Sequence, residues 1–145
     1  MKQYPLRFQV TAETASGIQT PWTASTSVEN ISIKLAIPPE FDGPGGGLSP
    51  EDLYAFALQN CFIATFKVFA EKSRLTFNEL NVKASLEVDR NEKGAPWMAR
   101  IHFDVNMTGV QQPENAKRLL EKTSQSCMIL NSVNTAKSFN FEIEA

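Results

Sequence analysis

Cys61 and Cys127 are the residues of this 145-residue chain that could carry redox chemistry. Each lies in a segment with a helical apolar pattern, GGGLSPEDLYAFALQNCF and QQPENAKRLLEKTSQSCMILNS. Free cysteine is most often a small buried hydrophobe, so the simplest interpretation is that both thiols fill a core. The alternative is a thiol peroxidase, in which one thiolate becomes a sulfenic acid and condenses with the other thiol. That nucleophile needs a nearby cation or oriented donors to ionise at neutral pH.

Four further candidate residues are a glutamate, a histidine and two arginines. Glu51 fits the first turn of a helix, where the dipole favours an acid, or it could orient a cation beside a thiol. It lies ten positions before Cys61, about 15 Å along an ideal helix, so a direct contact within one helix is excluded. His102 and Arg100 lie on the polar side of an alternating strand, and Arg7 on that of another, so we expect all three to face solvent.

Composition excludes several classes of function. One histidine and two cysteines give too few ligands for an ordinary zinc site or a disulfide scaffold, and we predict no metal and no cofactor. A net charge of -2 offers no basic surface for nucleic acid or an anionic membrane. MKQYPLRFQV lacks a signal-peptide core, and the longest apolar run, FIATFKVFA, is too short to span a bilayer. These features predict one cytoplasmic domain over residues 1–145, with no nucleic-acid or membrane partner.

Several stretches alternate between apolar and polar residues, the period of a half-buried strand. The pattern is clear in LNVKASLEVD and PWMARIHFDVNM, joined by a hairpin loop RNEKGAP, and it returns in the tail SFNFEIEA. Leu6, Phe8 and Val10 predict a strand near the start, and ISIKLAI predicts another. Between these two, IQTPWTASTS fits a short edge strand, because Pro21 cannot donate to a ladder.

The first predicted helix begins with Ser49 as N-cap, Pro50 at the first position and Asp52 as the capping-box acid, and it runs to about Lys72. Apolar residues cover the whole circumference of this helix except for a narrow polar stripe. A helix that is apolar on nearly all sides must be buried on nearly all sides, and one sheet covers only one side. We therefore predict a dimer.

One face of the same predicted helix carries Tyr54, Leu58, Cys61, Thr65 and Val68.

The second predicted helix begins near Pro113 and continues through QQPENAKRLLEKTSQSCMILNS. Its inner stripe carries Ala116, Leu120, Thr123 and Cys127, which places Cys127 near the C-terminal end. The predicted order is therefore β-β-β-α-β-β-α-β, an α+β domain with helices packed on antiparallel sheets.

The cysteine segments resemble a known family. GGGLSPEDLYAFALQNCF, together with SQSCMILNSV, resembles the osmotically inducible protein C and organic hydroperoxide resistance proteins (OsmC/Ohr). That family has a glycine-rich loop, a Pro-Glu helix start, a cysteine ten residues after the glutamate, and a second cysteine near the end of the next helix. The positions that match are Pro50, Glu51, Leu53, Cys61, Phe62 and Cys127. ISIKLAIPPEFDGPGGG resembles the strand and loop of the Ohr branch, and the element order agrees along nearly the whole chain.

The resemblance implies an intertwined homodimer with its active sites at the subunit interface. It implies that Cys61 is the peroxidatic thiol, that Cys127 resolves it through a disulfide, and that Glu51 orients a catalytic arginine. The implied substrates are small hydrophobic hydroperoxides, organic or derived from fatty acids. The implied reductant is a lipoylated protein or another thiol.

The chain also departs from the family pattern. The family's arginine lies near the second strand or before the glycine-rich loop, where this chain reads TPWTAST and IPPEFDG without a basic residue. Met128 follows the second cysteine, where a proline is usual. Without a cation, burial favours the neutral thiol. A second hypothesis therefore stays open: a stress-associated protein with little or no peroxidase activity, which binds an apolar ligand at the dimer interface.

Overall fold

The computed structural model describes residues 3–26 and 28–145 of the chain. Met1, Lys2 and Ser27, the last of which ends the predicted segment IQTPWTASTS, lie outside the described residues. The strands are β1 (Val10–Glu13), β2 (Trp22–Thr26), β3 (Ser32–Leu35), β4 (Glu79–Arg90), β5 (Pro96–Thr108) and β6 (Ala136–Ile143). The helices are α1 (Pro50–Lys72), α2 (Pro113–Ser126) and α3 (Met128–Asn131), with a short 3-10 turn at Pro39–Phe41. The chain divides into two compact units, one ending at Leu53 and the other covering Tyr54–Ala145.

The first unit holds a three-stranded antiparallel sheet in the order β1-β2-β3. Two sequence predictions are wrong here. The strand predicted through Leu6 and Phe8 begins only at Val10, and the side chains of Leu6 and Phe8 are exposed. The segment expected at the edge supplies the central strand, β2. Pro21 does not prevent this placement, because it lies directly before β2. The strand itself therefore loses no backbone N–H donor.

The predicted start of α1 is confirmed. The Ser49 backbone N–H donates to Asp52 Oδ2 at 2.9 Å, and the Asp52 N–H donates to Ser49 Oγ at 3.0 Å. This reciprocal pair satisfies donors that the first helical turn leaves free. The C-terminus of α1 is capped by the residues that follow it. Arg74 adopts a left-handed conformation (φ 54), and the Leu75 N–H donates to the Ala70 carbonyl at 2.9 Å.

The second unit holds the sheet β4-β5-β6. The predicted β4–β5 hairpin is confirmed as an antiparallel pair, but β6 runs parallel to β5, with Phe103 opposite Phe139. Parallel neighbours need a crossover connection of a dozen or more residues, and here α2 and α3 provide it. The α+β class predicted from the pattern is confirmed, while this last pairing differs from the expected antiparallel one.

The core of the second unit forms around one stripe of α1. Leu58, Phe62, Phe66 and Ala70 recur every four residues and are buried. They join the inner face of β5 and the apolar side of α2 in a single cluster, whose other fully buried members include Ile101, Phe103, Val105, Leu120 and Leu130. This stripe fixes the rotation of α1 and therefore the direction in which its remaining side chains point.

The other sides of α1 stay open in the single chain. Phe56 is 48% exposed and Val68 is 50% exposed, so the sheet covers only one side, as the sequence predicted. With 23 residues, α1 is also long and apolar enough to cross a membrane, which the shorter run FIATFKVFA did not suggest. One such helix is weak evidence for a membrane, because the core helix of a globular protein meets the same test.

Candidate functional site

The structure brings the two cysteines together. The sulfur atoms of Cys61 and Cys127 lie 2.6 Å apart, with the Cys127 S–H directed at the Cys61 sulfur, and both residues are free thiols. A disulfide bond measures about 2.05 Å, so the pair can be joined with little movement of the elements that carry them. The predicted placement of each thiol on the inward side of its helix is confirmed for Cys127 and holds in part for the half-buried Cys61.

Cys127 lies at a break in the helical segment, where the sequence predicted a continuous helix. Its backbone is extended (φ -68, ψ 119), so α2 ends at Ser126 and α3 begins at Met128. The Cys127 N–H still donates to the Thr123 carbonyl at 3.1 Å, and the Cys127 carbonyl accepts from the Asn131 N–H at 2.9 Å. Cys127 thus caps both helices. Met128 therefore occupies the first position of a helix, a position that proline also suits.

The two thiols differ in their surroundings. Burial raises the pKa of Cys127 from 9.0 to about 11, and the hydrogen bond to Cys61 acts in the same direction. Cys127 is fully buried and therefore stays a neutral S–H donor at physiological pH. Cys61 is half-buried, so part of its side chain stays accessible to solvent. The structure therefore favours Cys61 as the thiol that meets a substrate and Cys127 as the second thiol.

Two polar contacts on the same face of α1 were not predicted. Thr65, one turn after Cys61, places Oγ1 4.0 Å from the Cys61 sulfur. Tyr54, two turns before Cys61, shares a hydrogen bond of 2.5 Å with the hydroxyl of Thr135, which is buried. The spacing of Tyr54, Cys61 and Thr65 along one helix face was the available signal, whereas no local pattern indicated Thr135.

Glu51 has an unusual environment. The side chain is half-buried, and its Oε1 atom is buried without a hydrogen-bond partner among residues 3–26 and 28–145. Buried carboxylate oxygens are nearly always paired, because removing them from water costs free energy that a hydrogen bond must offset. Arg100 and Arg7, which face solvent as predicted, do not fill this role. Arg100 donates to Glu87 at 2.6 Å and to Asp89 at 2.7 Å on the exposed side of the sheet, and Arg7 is exposed.

His102 lies on the outer face of β5, as predicted. Its side chain is 45% exposed, with Nδ1 2.7 Å from Ser138 Oγ and Nε2 3.2 Å from Asp104 Oδ1. These partners are solvent-facing neighbours on the sheet, because Ser138 stands directly opposite His102 in the β5–β6 register. The histidine therefore belongs to the polar surface of the sheet and has no role in the cysteine site.

Comparison with known proteins gives a family match. The model of the OsmC-like protein family matches residues 43–142. An uncharacterised protein of Acinetobacter baylyi is 27% identical over 121 residues, which cover 82% of each chain. An organic hydroperoxide resistance protein of Xanthomonas axonopodis pv. citri is 28% identical over 111 residues, covering 75% of this chain and 76% of the relative.

Solved structures share the fold. An OsmC-like protein of unknown function from Vibrio cholerae superposes with a TM-score of 0.82 at 18% identity, covering 94% of this chain and 99% of the other. An organic hydroperoxide resistance protein from Legionella pneumophila gives a TM-score of 0.76 at 17% identity, with coverages of 99% and 100%. At these identities the likeness establishes the architecture alone.

Proposed function

Because this chain belongs to the OsmC-like protein family, we propose that it is a thiol-dependent peroxidase that reduces organic hydroperoxides through Cys61 and Cys127. The observation that carries the proposal is the 2.6 Å approach of a half-buried sulfur to a buried one. Two relatives of the chain bear the name organic hydroperoxide resistance protein.

The proposed reaction has two steps. The Cys61 thiolate attacks the terminal oxygen of ROOH, the O–O bond breaks, and the alkoxide leaves as ROH after taking up a proton, so that Cys61 becomes a sulfenic acid. The Cys127 sulfur then attacks the Cys61 sulfur, and the S–OH bond breaks. The proton of Cys127 leaves with the hydroxide as water. The two thiols supply the two electrons that reduce the peroxide.

The surroundings of Cys61 favour an apolar substrate. The side chain packs against the core cluster, and its exposed neighbours one turn away on the helix surface, Ala57 and Ala64, are apolar. Apolar walls with a few polar groups are typical of sites for small hydrophobic molecules. The resulting disulfide must be reduced again, and we propose a lipoylated protein or another thiol as the reductant. A reducing cytoplasm fits a disulfide that is transient.

We propose that Glu51 orients a cation, as its counterpart in the family does. The supporting observation is its buried Oε1, which lacks a partner among the described residues of one chain. Since TPWTAST and IPPEFDG contain no basic residue, the donor is proposed to come from elsewhere, such as a second copy of the chain.

We further propose a homodimer. The side chains of Phe56 and Val68 are exposed on α1, and an interface between subunits would bury them. Sedimentation equilibrium is expected to give twice the chain mass of 16.1 kDa. The Phe56→Glu variant is expected to dissociate at concentrations where the Gln125→Glu variant, which adds the same charge at an exposed position of α2, remains dimeric. A monomer at all concentrations would overturn the proposal.

The peroxidase proposal is tested by thiol titration after one equivalent of cumene hydroperoxide. We expect both free thiols to be lost and mass spectrometry to find one disulfide, Cys61–Cys127. Hydrogen peroxide at the same concentration serves as the polar comparison and is expected to react more slowly. If both thiols remain free, the chain is not a peroxidase, and the ligand-binding hypothesis on the same scaffold takes its place.

A further inference from the structure

Thr65 differs from an ordinary threonine inside a helix. A helical threonine commonly donates its hydroxyl hydrogen to the carbonyl four residues earlier. Thr123 does so, with Oγ1 2.7 Å from the Leu119 carbonyl oxygen. The Thr65 hydroxyl instead contacts the side chain of the residue four positions earlier, with Oγ1 4.0 Å from the Cys61 sulfur. Thr65 is half-buried, so water competes only in part for that hydroxyl.

A thiolate at Cys61 needs donors, and the structure supplies two. Among the described residues, the side-chain donors that reach the Cys61 sulfur are the Cys127 S–H at 2.6 Å and the Thr65 hydroxyl. Arg100, the arginine with a defined pairing on this sheet, donates to Glu87 and Asp89 instead. Hydrogen bonds to an ionised acceptor are shorter and stronger than those to a neutral one. The Thr65 hydroxyl is therefore expected to move closer once Cys61 ionises.

We propose that Thr65 is a thiolate-stabilising donor of this site: its hydroxyl, with the Cys127 S–H, favours the ionised form of Cys61. This inference rests on the proposed function, because it concerns the thiol that attacks the peroxide.

The groups around Cys61 simplify a test by pH. Among the described residues, the titratable groups on its helix face and on the facing segment include Tyr54, two turns away, and Cys127, whose pKa is about 11. The inner faces of β4 and β5 present apolar side chains towards α1, and the inner face of β6 adds one cation, Lys137. The Lys137 ammonium donates to two backbone carbonyls, at 2.9 and 2.8 Å, and is not a thiol that iodoacetamide would report. Below about pH 9, alkylation of the chain therefore reports Cys61 alone.

The test compares Thr65→Val with Thr65→Ser by the rate of iodoacetamide alkylation between pH 5 and 9. Valine keeps the branched shape and removes the donor, whereas serine keeps the donor and removes the methyl group. We expect the valine variant to react about three- to tenfold more slowly at pH 7, because it lacks a donor to the attacking sulfur. The serine variant is expected to stay within about twofold of the parent. Equal rates in all three proteins, or equal losses in both variants, would overturn the proposal.

Alkylation separates this inference from the peroxidase proposal, because it measures thiolate without peroxide. If the predicted alkylation pattern is found but cumene hydroperoxide leaves both thiols free, Thr65 activates Cys61 and the peroxidase proposal fails. If the peroxide is reduced while Thr65→Val alkylates at the parental rate, the peroxidase proposal holds and the role of Thr65 is overturned. Matching thermal transitions of the three proteins exclude a loss of fold as the cause.

Discussion

Replacing Phe62 by alanine is expected to lower the free energy of unfolding by about 3–5 kcal/mol. Phe62 is fully buried, and its ring stacks against Phe103, Phe139 and Phe141, with centroid distances of 6.1, 5.5 and 6.4 Å. Truncation removes this contact area and leaves a cavity between α1 and the β5–β6 pair, which the rigid sheet can close only in part. Urea denaturation followed by circular dichroism measures the change.

Phe56→Ala provides the matched control for this prediction. It truncates the same residue type on the same helix, but Phe56 is 48% exposed, so we expect a loss of less than about 1 kcal/mol at chain concentrations that favour the monomer. If the dimer buries Phe56, the cost of this variant rises with chain concentration, because subunit association stabilises only the folded protein. A cost for Phe62→Ala as small as that for Phe56→Ala would contradict the assignment of Phe62 to the core.

Local patterns predicted the parts of the fold that depend on neighbouring residues. The cap of α1 forms between Ser49 and Asp52, three residues apart, so the sequence alone determined it. The β4–β5 hairpin likewise follows from alternation on both sides of a short loop. The central position of β2 and the parallel pairing of β6 depend on partners far along the chain, and no local pattern specifies those.

The site was predictable in its residue types but not in its geometry. Helical periodicity placed Cys127 on an inward face, but it missed the extended backbone that ends α2 there, since apolar residues continue at the same spacing into α3. The roles of Cys61 and Cys127 followed from family resemblance, whereas their 2.6 Å approach required the structure. The contact of Thr65 with the sulfur depends on one side-chain torsion, which periodicity does not determine.

The two single-cysteine variants are expected to fail in different ways. Cys61→Ser leaves Cys127, whose pKa burial raises, so its thiolate is scarcer at neutral pH than that of an ordinary exposed thiol. Consumption of cumene hydroperoxide should therefore fall by at least about tenfold. Cys127→Ser keeps the attacking thiol and should consume the first equivalent of peroxide, but no second thiol resolves the sulfenic acid. Dimedone is expected to label Cys61 in this variant and to leave the parent, which forms a disulfide, unlabelled.

The pH dependence identifies which thiol carries the residual reaction. Because burial raises the pKa of Cys127, its thiolate forms only in alkaline solution, and the residual rate of Cys61→Ser should rise about tenfold per pH unit above neutrality. The Cys127→Ser protein lacks this group and should not show that alkaline rise. Equal losses in both variants, or dimedone labelling of Cys127 in place of Cys61, would contradict the assignment of the peroxidatic role to the half-buried thiol. Because the two sulfurs are in contact, only their difference in burial separates the roles, and these variants test that difference directly.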